Sequence, residues 1–264
     1  MSTAAVPMTN PIATAKTMPL SRLLGAYITE AKFETLRMLR SPGFGIPFLT
    51  LPVALYLLFS LVIFGKISDP KVAMQLFIGF DVFGVMGPGM FGFGIIVAQE
   101  REQGLVTLKR AMPLPPAAYL AAKMAMALIF GLIVTTTMLA AALAVIHLPL
   151  TVAQCLEIVA INTLSALPFC SIGLFVGTRA GAKASPAITN IFYLAMIYLT
   201  GVFFPVPQAL KAVVQIFPSY HLEQLTLRAV GQPAGGFALV NIAAMATLTV
   251  LLTALSVRRL SRVG

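Results

Sequence analysis

Ionised side chains are scarce in this chain, so the few that interrupt its apolar runs carry most of its chemical information. Asp81 stands inside the run 73–98, Lys123 inside 117–146 and Glu157 inside 154–177. A charge in hydrocarbon is costly, and such residues mark substrate paths, proton relays or hydrogen-bonded helix interfaces. Asp81 lies on the order of 12 Å from the start of its run at 1.5 Å per residue. It suits contact with a polar substrate, proton binding, or a carboxyl held between helices, and the last is favoured. Lys123, seven residues beyond Pro116, can snorkel to the near surface. Glu157, close to the start of its run, reaches an interface and suits a structural role.

Other chemistries lack their residues. There is no G-x-x-x-x-G-K-[ST] phosphate loop, so ATP binding is not expected in this chain. No Cys/His spacing suits a metal, His147 and His221 are far apart, and no Ser, His and Asp share a run. Cys155 and Cys170, if on one helix, are about 22 Å apart along its axis, which forbids a disulfide between them. No catalytic residue, metal or cofactor is therefore assigned. A net charge of +10 invites nucleic acid, but no binding motif is present and the basic residues are dispersed between apolar runs.

The elements that must position these groups are set by composition. Hydrophobic residues make up 59% of the chain and charged ones 10%, well below the quarter or so of soluble domains, so the chain reads as an all-α integral membrane protein. A mean hydropathy of +0.94 agrees. About 20 apolar residues cross a bilayer as a helix, and six stretches qualify: 44–64, 73–98, 117–146, 154–177, 185–204 and 236–257. They lack the alternation of barrel strands. The connection 205–235 is too apolar for a solvated loop and too broken to span, which predicts short interfacial or re-entrant helices. Residues 1–18 predict a disordered tail, and 258–264 a short terminal one.

Lys66, Lys71, Lys211 and Arg228 lie on one side of these spans; the other fourteen Lys and Arg lie on the opposite side. The positive-inside rule then places both termini and the 99–116 loop in the cytoplasm. Before the first span, residues 19–43 hold a basic amphipathic helix. Leu20, Leu23, Leu24, Tyr27, Ile28, Ala31, Met38 and Leu39 share a face, and Arg22, Lys32, Arg37 and Arg40 lie mostly opposite. Such a helix lies in the membrane interface among anionic headgroups, or packs on a partner subunit. In the second span Gly84, Gly87, Gly89, Gly92 and Gly94 leave a surface that another helix can approach closely, and Pro88 removes one backbone hydrogen bond. Asp81, Gly84, Gly87 and Pro88 are thus candidates for pathway or packing.

The loop 99–116, QEREQGLVTLKRAMPLPP, is a charged island between apolar walls. Leu105, Leu108 and Met112 recur at i, i+3 and i+7, an apolar stripe suited to a partner's groove. Glu100 and Glu102 could pair with basic groups there. Gly104 permits a sharp entry, and Pro113, Pro115 and Pro116 stiffen the exit.

The run EREQGLVTLKRAMPLPPAAYLAAK resembles the corresponding loop of ABC exporter permeases of the type-2 family. Glu100, Arg101, Glu102, Gly104, Leu108, Pro113 and Lys123 match; Leu105 stands where a Thr is usual. GVFFP at 201–205 is a second match. The resemblance implies that the loop contains a coupling helix seated on an ATP-binding subunit, with Glu100, Arg101, Glu102, Gly104, Leu105, Leu108, Met112 and Pro113 as contact residues. It implies two such ATP-binding-cassette subunits, which bind the ATP and Mg, and a second permease copy, identical or similar. The largely apolar spans favour an amphipathic or lipid-like substrate, expelled across a bacterial inner membrane. Glycan export, or a proton-coupled secondary transporter using Asp81, are the alternatives.

Overall fold

The structure, a computed structural model, describes residues 19–63, 69–111, 116–199 and 208–263. Among them every regular element is helical. α1 (Leu20–Leu39) is followed by α2 (Gly45–Leu57), which runs into a π-helical stretch, Leu58–Ile63. Next come α3 (Pro70–Glu102), the short α4 (Leu105–Ala111) and α5 (Pro116–Ala144). Then follow α6 (Val152–Leu164), α7 (Ala166–Gly177) and α8 (Ser185–Leu199). The chain ends with α9 (Lys211–Val214), α10 (Pro218–Ala229) and α11 (Ala238–Val263).

Gly45–Ile63, Pro70–Glu102, Ala118–Ala144, Val152–Gly177 and Ala238–Leu260 are each long and apolar enough to cross a bilayer. The expected span at 185–204 is described only through α8, whose fifteen residues reach about 22 Å. Its remainder lies outside the described residues, as do the tail 1–18, Met112, Pro113, Pro115 and the GVFFP stretch. The expected short helices between the last two spans are present as α9 and α10.

Local sequence sets the boundaries. Asp69 accepts a hydrogen bond from the Lys71 backbone N–H at 2.9 Å, and Pro70 opens α3 where its missing N–H costs nothing. Thr151 and Gln154 cap α6 reciprocally. Pro168 has no N–H to return to the Leu164 carbonyl, and the fourth span divides there into α6 and α7, at Ser165. Pro88 has the same deficit, yet α3 continues through it.

α3 is the hub, buried along most of its length and packed against α2, α5, α7 and α8. Several of its glycines sit at close helix contacts. A Cβ on Gly84 would meet Pro52 at 2.9 Å, and one on Gly87 would meet the Phe48 ring at 2.5 Å, both on α2. Against α7 the approach is backbone to backbone: a Cβ on Gly173 would stand 2.6 Å from the Met90 carbonyl oxygen, and one on Gly177 would collide with that of Phe93. In a bilayer, where lipid tails are as apolar as leucine, such close contact is a main source of helix association. α11, by contrast, leaves Leu239, Val240, Ile242, Val250 and Leu251 exposed.

Gly173→Ala should therefore destabilise the detergent-solubilised chain by about 1–3 kcal/mol. Gly131→Ala, whose new methyl would find its nearest neighbour at 3.5 Å, should be neutral. Thermal unfolding of the two variants side by side checks this, and equal stability would refute the backbone contact.

Candidate functional site

Four charged side chains meet where α1, α3 and α5 converge, immediately before the loop helix α4. Lys123 of α5 is fully buried, contrary to the snorkelling expected of it. Its Nζ lies 2.7 Å from Glu34 Oε1 and 3.2 Å from Glu100 Oε2. Arg37 Nη2 bridges the same two acids, at 3.0 Å to Glu34 Oε1 and 2.6 Å to Glu100 Oε1. The Tyr119 hydroxyl donates to Glu100 Oε2 at 2.6 Å, and Lys123 Nζ sits 5.1 Å from the centre of the Tyr119 ring. Two acids and two bases make the cluster neutral, which is the condition for burying charges at tolerable cost. Burial opposes the charge on Arg37, but Glu34 and Glu100 outweigh it and raise its pKa above the ordinary arginine value.

These contacts revise the expected role of Glu100. With only 4% of its surface exposed, it spends its carboxylate inside the chain rather than on a partner's basic group. Arg101 also turns inward: its guanidinium donates to the Thr178 carbonyl and, at 2.7 Å, to that of Ala180. Glu102 is exposed, and its Oε1 accepts the Ala182 backbone N–H at 2.7 Å. Residues 100–102 are thereby clamped between α1 and α5 on one side and the turn after α7 on the other.

Gly104 then takes φ +72°, a left-handed conformation that favours glycine, and starts α4. Val106 faces inward at 7% exposure, while Leu105 and Leu108 face out, Leu108 at 59%. Lys109 braces the helix from the inner side through an ion pair with Glu30, and lies 5.0 Å from the centre of the Tyr119 ring. An apolar two-residue face is thus presented by a helix fixed at its base.

α1 is both amphipathic and docked. It packs on α5 through Glu34, Thr35 and Met38, and leaves Leu20, Leu24, Ile28 and Phe33 exposed. Arg22, Lys32 and Arg40 are exposed; Arg37 belongs to the ion cluster. The apolar face and the basic residues of this helix give no sign in the sequence of the roles that Glu30 and Glu34 take.

Asp81 is also fully enclosed. Thr135 Oγ1 donates to its Oδ1 at 3.0 Å and Asn162 Nδ2 to its Oδ2 at 2.5 Å. Thr226 Oγ1 donates in turn to Asn162 Oδ1 at 3.1 Å. This chain of polar groups joins α3, α5, α6 and α10, an arrangement of the helix-interface kind. α10 is held at two further points. Gln75 Nε2 donates to Glu223 Oε1 at 3.1 Å, and His221 Nδ1 is 2.8 Å from Asn241 Oδ1. Burial pushes the Glu223 carboxyl up to about 8, against the opposing effect of the Gln75 hydrogen bond.

Comparison with known proteins fits this geometry. The ABC-2 type transporter family profile matches residues 26–230, from within α1 to the end of α10. The chain belongs to the ABC-2 type transporter family. A protein of Bacillus subtilis (strain 168), named "Putative transport permease YvfS", is 28% identical over 193 residues, which cover 71% of this chain and 78% of that one. The chain is thus the permease of an ABC-2 type transporter. This family places it as the membrane component, distinct from the ATP-binding subunit with which such a component works. Within this ABC-2 permease the matched region contains the whole ion cluster and α4.

Lys123→Met would leave Glu34 and Glu100 with Arg37 as their remaining cation, and should destabilise the fold by about 3–5 kcal/mol, the cost of breaking a buried pair from one side. Adding Glu34→Gln should restore part of that loss. Thermal unfolding in detergent measures both, and a Lys123→Met variant as stable as the parent would contradict the cluster.

Proposed function

We propose that this permease exports an amphipathic or lipid-like compound, and that α4 is the coupling helix through which a separate ATP-binding subunit drives it. The observation that carries this reading is the exposed Leu105 and Leu108 pair on a short helix whose base is fixed to α1 and to two membrane helices, α3 and α5. A docking element must present apolar side chains to a groove and pass on displacement without yielding. Hot-spot contacts are few, central and desolvated, and Leu108 is the outward residue best suited to that part. Glu102, exposed at the end of α3, suits the rim of such a contact.

The Lys and Arg distribution supports a cytoplasmic α4 with both termini on that side of a bacterial inner membrane. Two copies of the permease, or one copy with a similar chain, would enclose the path, and two ATP-binding-cassette subunits would bind ATP and Mg beneath them. Closure of those subunits would push α4, and the Glu34–Arg37–Glu100–Lys123 cluster would carry the motion into α1, α3 and α5 together. The exposed Leu20, Leu24 and Ile28, with Arg22, Lys32 and Arg40, suit α1 to the membrane surface.

Leu108→Asp tests the coupling. Co-purification with the ATP-binding subunit should weaken roughly 30-fold, the equivalent of about 2 kcal/mol for a hot-spot residue. The fold should be retained, since the site is exposed. Asp81→Asn should leave co-purification unchanged. Undiminished binding by Leu108→Asp, with transport abolished only by Asp81→Asn, would instead favour a proton-coupled carrier.

A further inference from the structure

A second feature of the molecule is a groove at the end of the bundle remote from α4. It lies between α6, α7, α10 and α11 and encloses about 530 Å³. Its walls are almost entirely apolar, with Ile161, Leu225, Ile242, Met245 and Val250 among them. Two ionisable residues also line it, Glu157 on α6 and Arg228 at the end of α10. Both are exposed. Arg228 Nη2 donates to the Gly236 carbonyl at 2.5 Å, which fixes the guanidinium beside the start of α11. One such bond leaves most of the five N–H donors of an arginine for another acceptor.

The dimensions are those of a lipid chain. Along α11 the lining extends from Ala238 to Val250, twelve residues or about 18 Å of helix. Half of a hydrocarbon core is about 15 Å. The groove thus runs from the interfacial end of α11 to about the depth of one leaflet, with charge at the shallow end and hydrocarbon beyond it. We propose that it binds a glycerophospholipid with an ammonium-bearing headgroup from the leaflet remote from α4. The phosphate is held by Arg228, the ammonium by Glu157, and one acyl chain lies along Met245 and Val250. Guanidinium–phosphate contact is charge-assisted and can be bidentate. A carboxylate lining the same groove selects against anionic headgroups, whose net charge it repels. The site requires only that the helices span a membrane; it does not depend on the coupling role of α4 or on the direction of transport.

The test is native mass spectrometry of the full chain released from detergent after equilibration with equal amounts of phosphatidylethanolamine and phosphatidylglycerol. The wild-type chain should retain the ethanolamine lipid in excess. Glu157→Gln should cut that preference about fivefold, the equivalent of an exposed charge pair near 1 kcal/mol. Ala246→Trp and Ala160→Trp, at exposed lining positions, should each fill the groove and lower retention of the lipid at least about tenfold through lost apolar burial. Unfolded variants would be recognised by thermal unfolding in the same detergent, and two independent positions guard against that outcome. Retention unchanged by either tryptophan, or equal retention of the two lipids by the wild type, would overturn the proposal. So would efficient disulfide formation between copies carrying Ala246→Cys in a Cys155→Ser background, because the face would then be covered by a second copy of this chain.

Discussion

The burial of Lys123 is the constraint on which the end of the permease that carries α4 depends. An ammonium group removed from water must be met by anions at short range, and the sequence supplies them from two distant places: Glu34 on α1 and Glu100 at the end of α3. Arg37 then balances the second anion. The result ties a surface helix, the central helix and the third span into one unit. None of these three elements can shift alone without exposing an unpaired charge to a poorly polar surrounding. α4 follows that unit after a single turn at Gly104, so it inherits a stiff base.

The rest of the bundle uses a different kind of cohesion. α3 and α7 meet through Gly89, Gly173 and Gly177, where backbone atoms of the facing helix take the place that side chains would occupy. Asp81, Asn162 and Thr226 add a polar thread through the apolar interior. Small-residue contacts resist separation, and hydrogen bonds fix register; neither imposes the all-or-none character of a buried ion cluster. A transporter needs both properties, a rigid joint and helices that can slide or tilt within the membrane. The two ends of the molecule differ in that sense.

Much of this was legible in the residues. The spans follow from apolar length, and the close approach of α3 from its glycines. The exposed Leu105 and Leu108 follow from helical spacing within a charged loop. The ion cluster was not legible, because Glu34 and Glu100 are separated by 66 positions and look like ordinary loop and surface acids. Lys123 alone carried a signal, a cation within an apolar run, yet snorkelling explained it equally well. An acid three residues before Arg37 on a basic helix was the available hint. The partners of Asp81 were hidden for a related reason: Thr135, Asn162 and Thr226 are neutral, and only the packing of four helices brings them together.

The most direct measurement is photo-crosslinking from position 108. A photoreactive amino acid replaces Leu108 in the permease, co-expressed with its ATP-binding subunit and illuminated in native membranes. A covalent adduct between the two subunits is expected, with a yield that changes when ATP hydrolysis is blocked. Adducts to lipid alone, or none with the ATP-binding subunit while the complex remains intact, would contradict it.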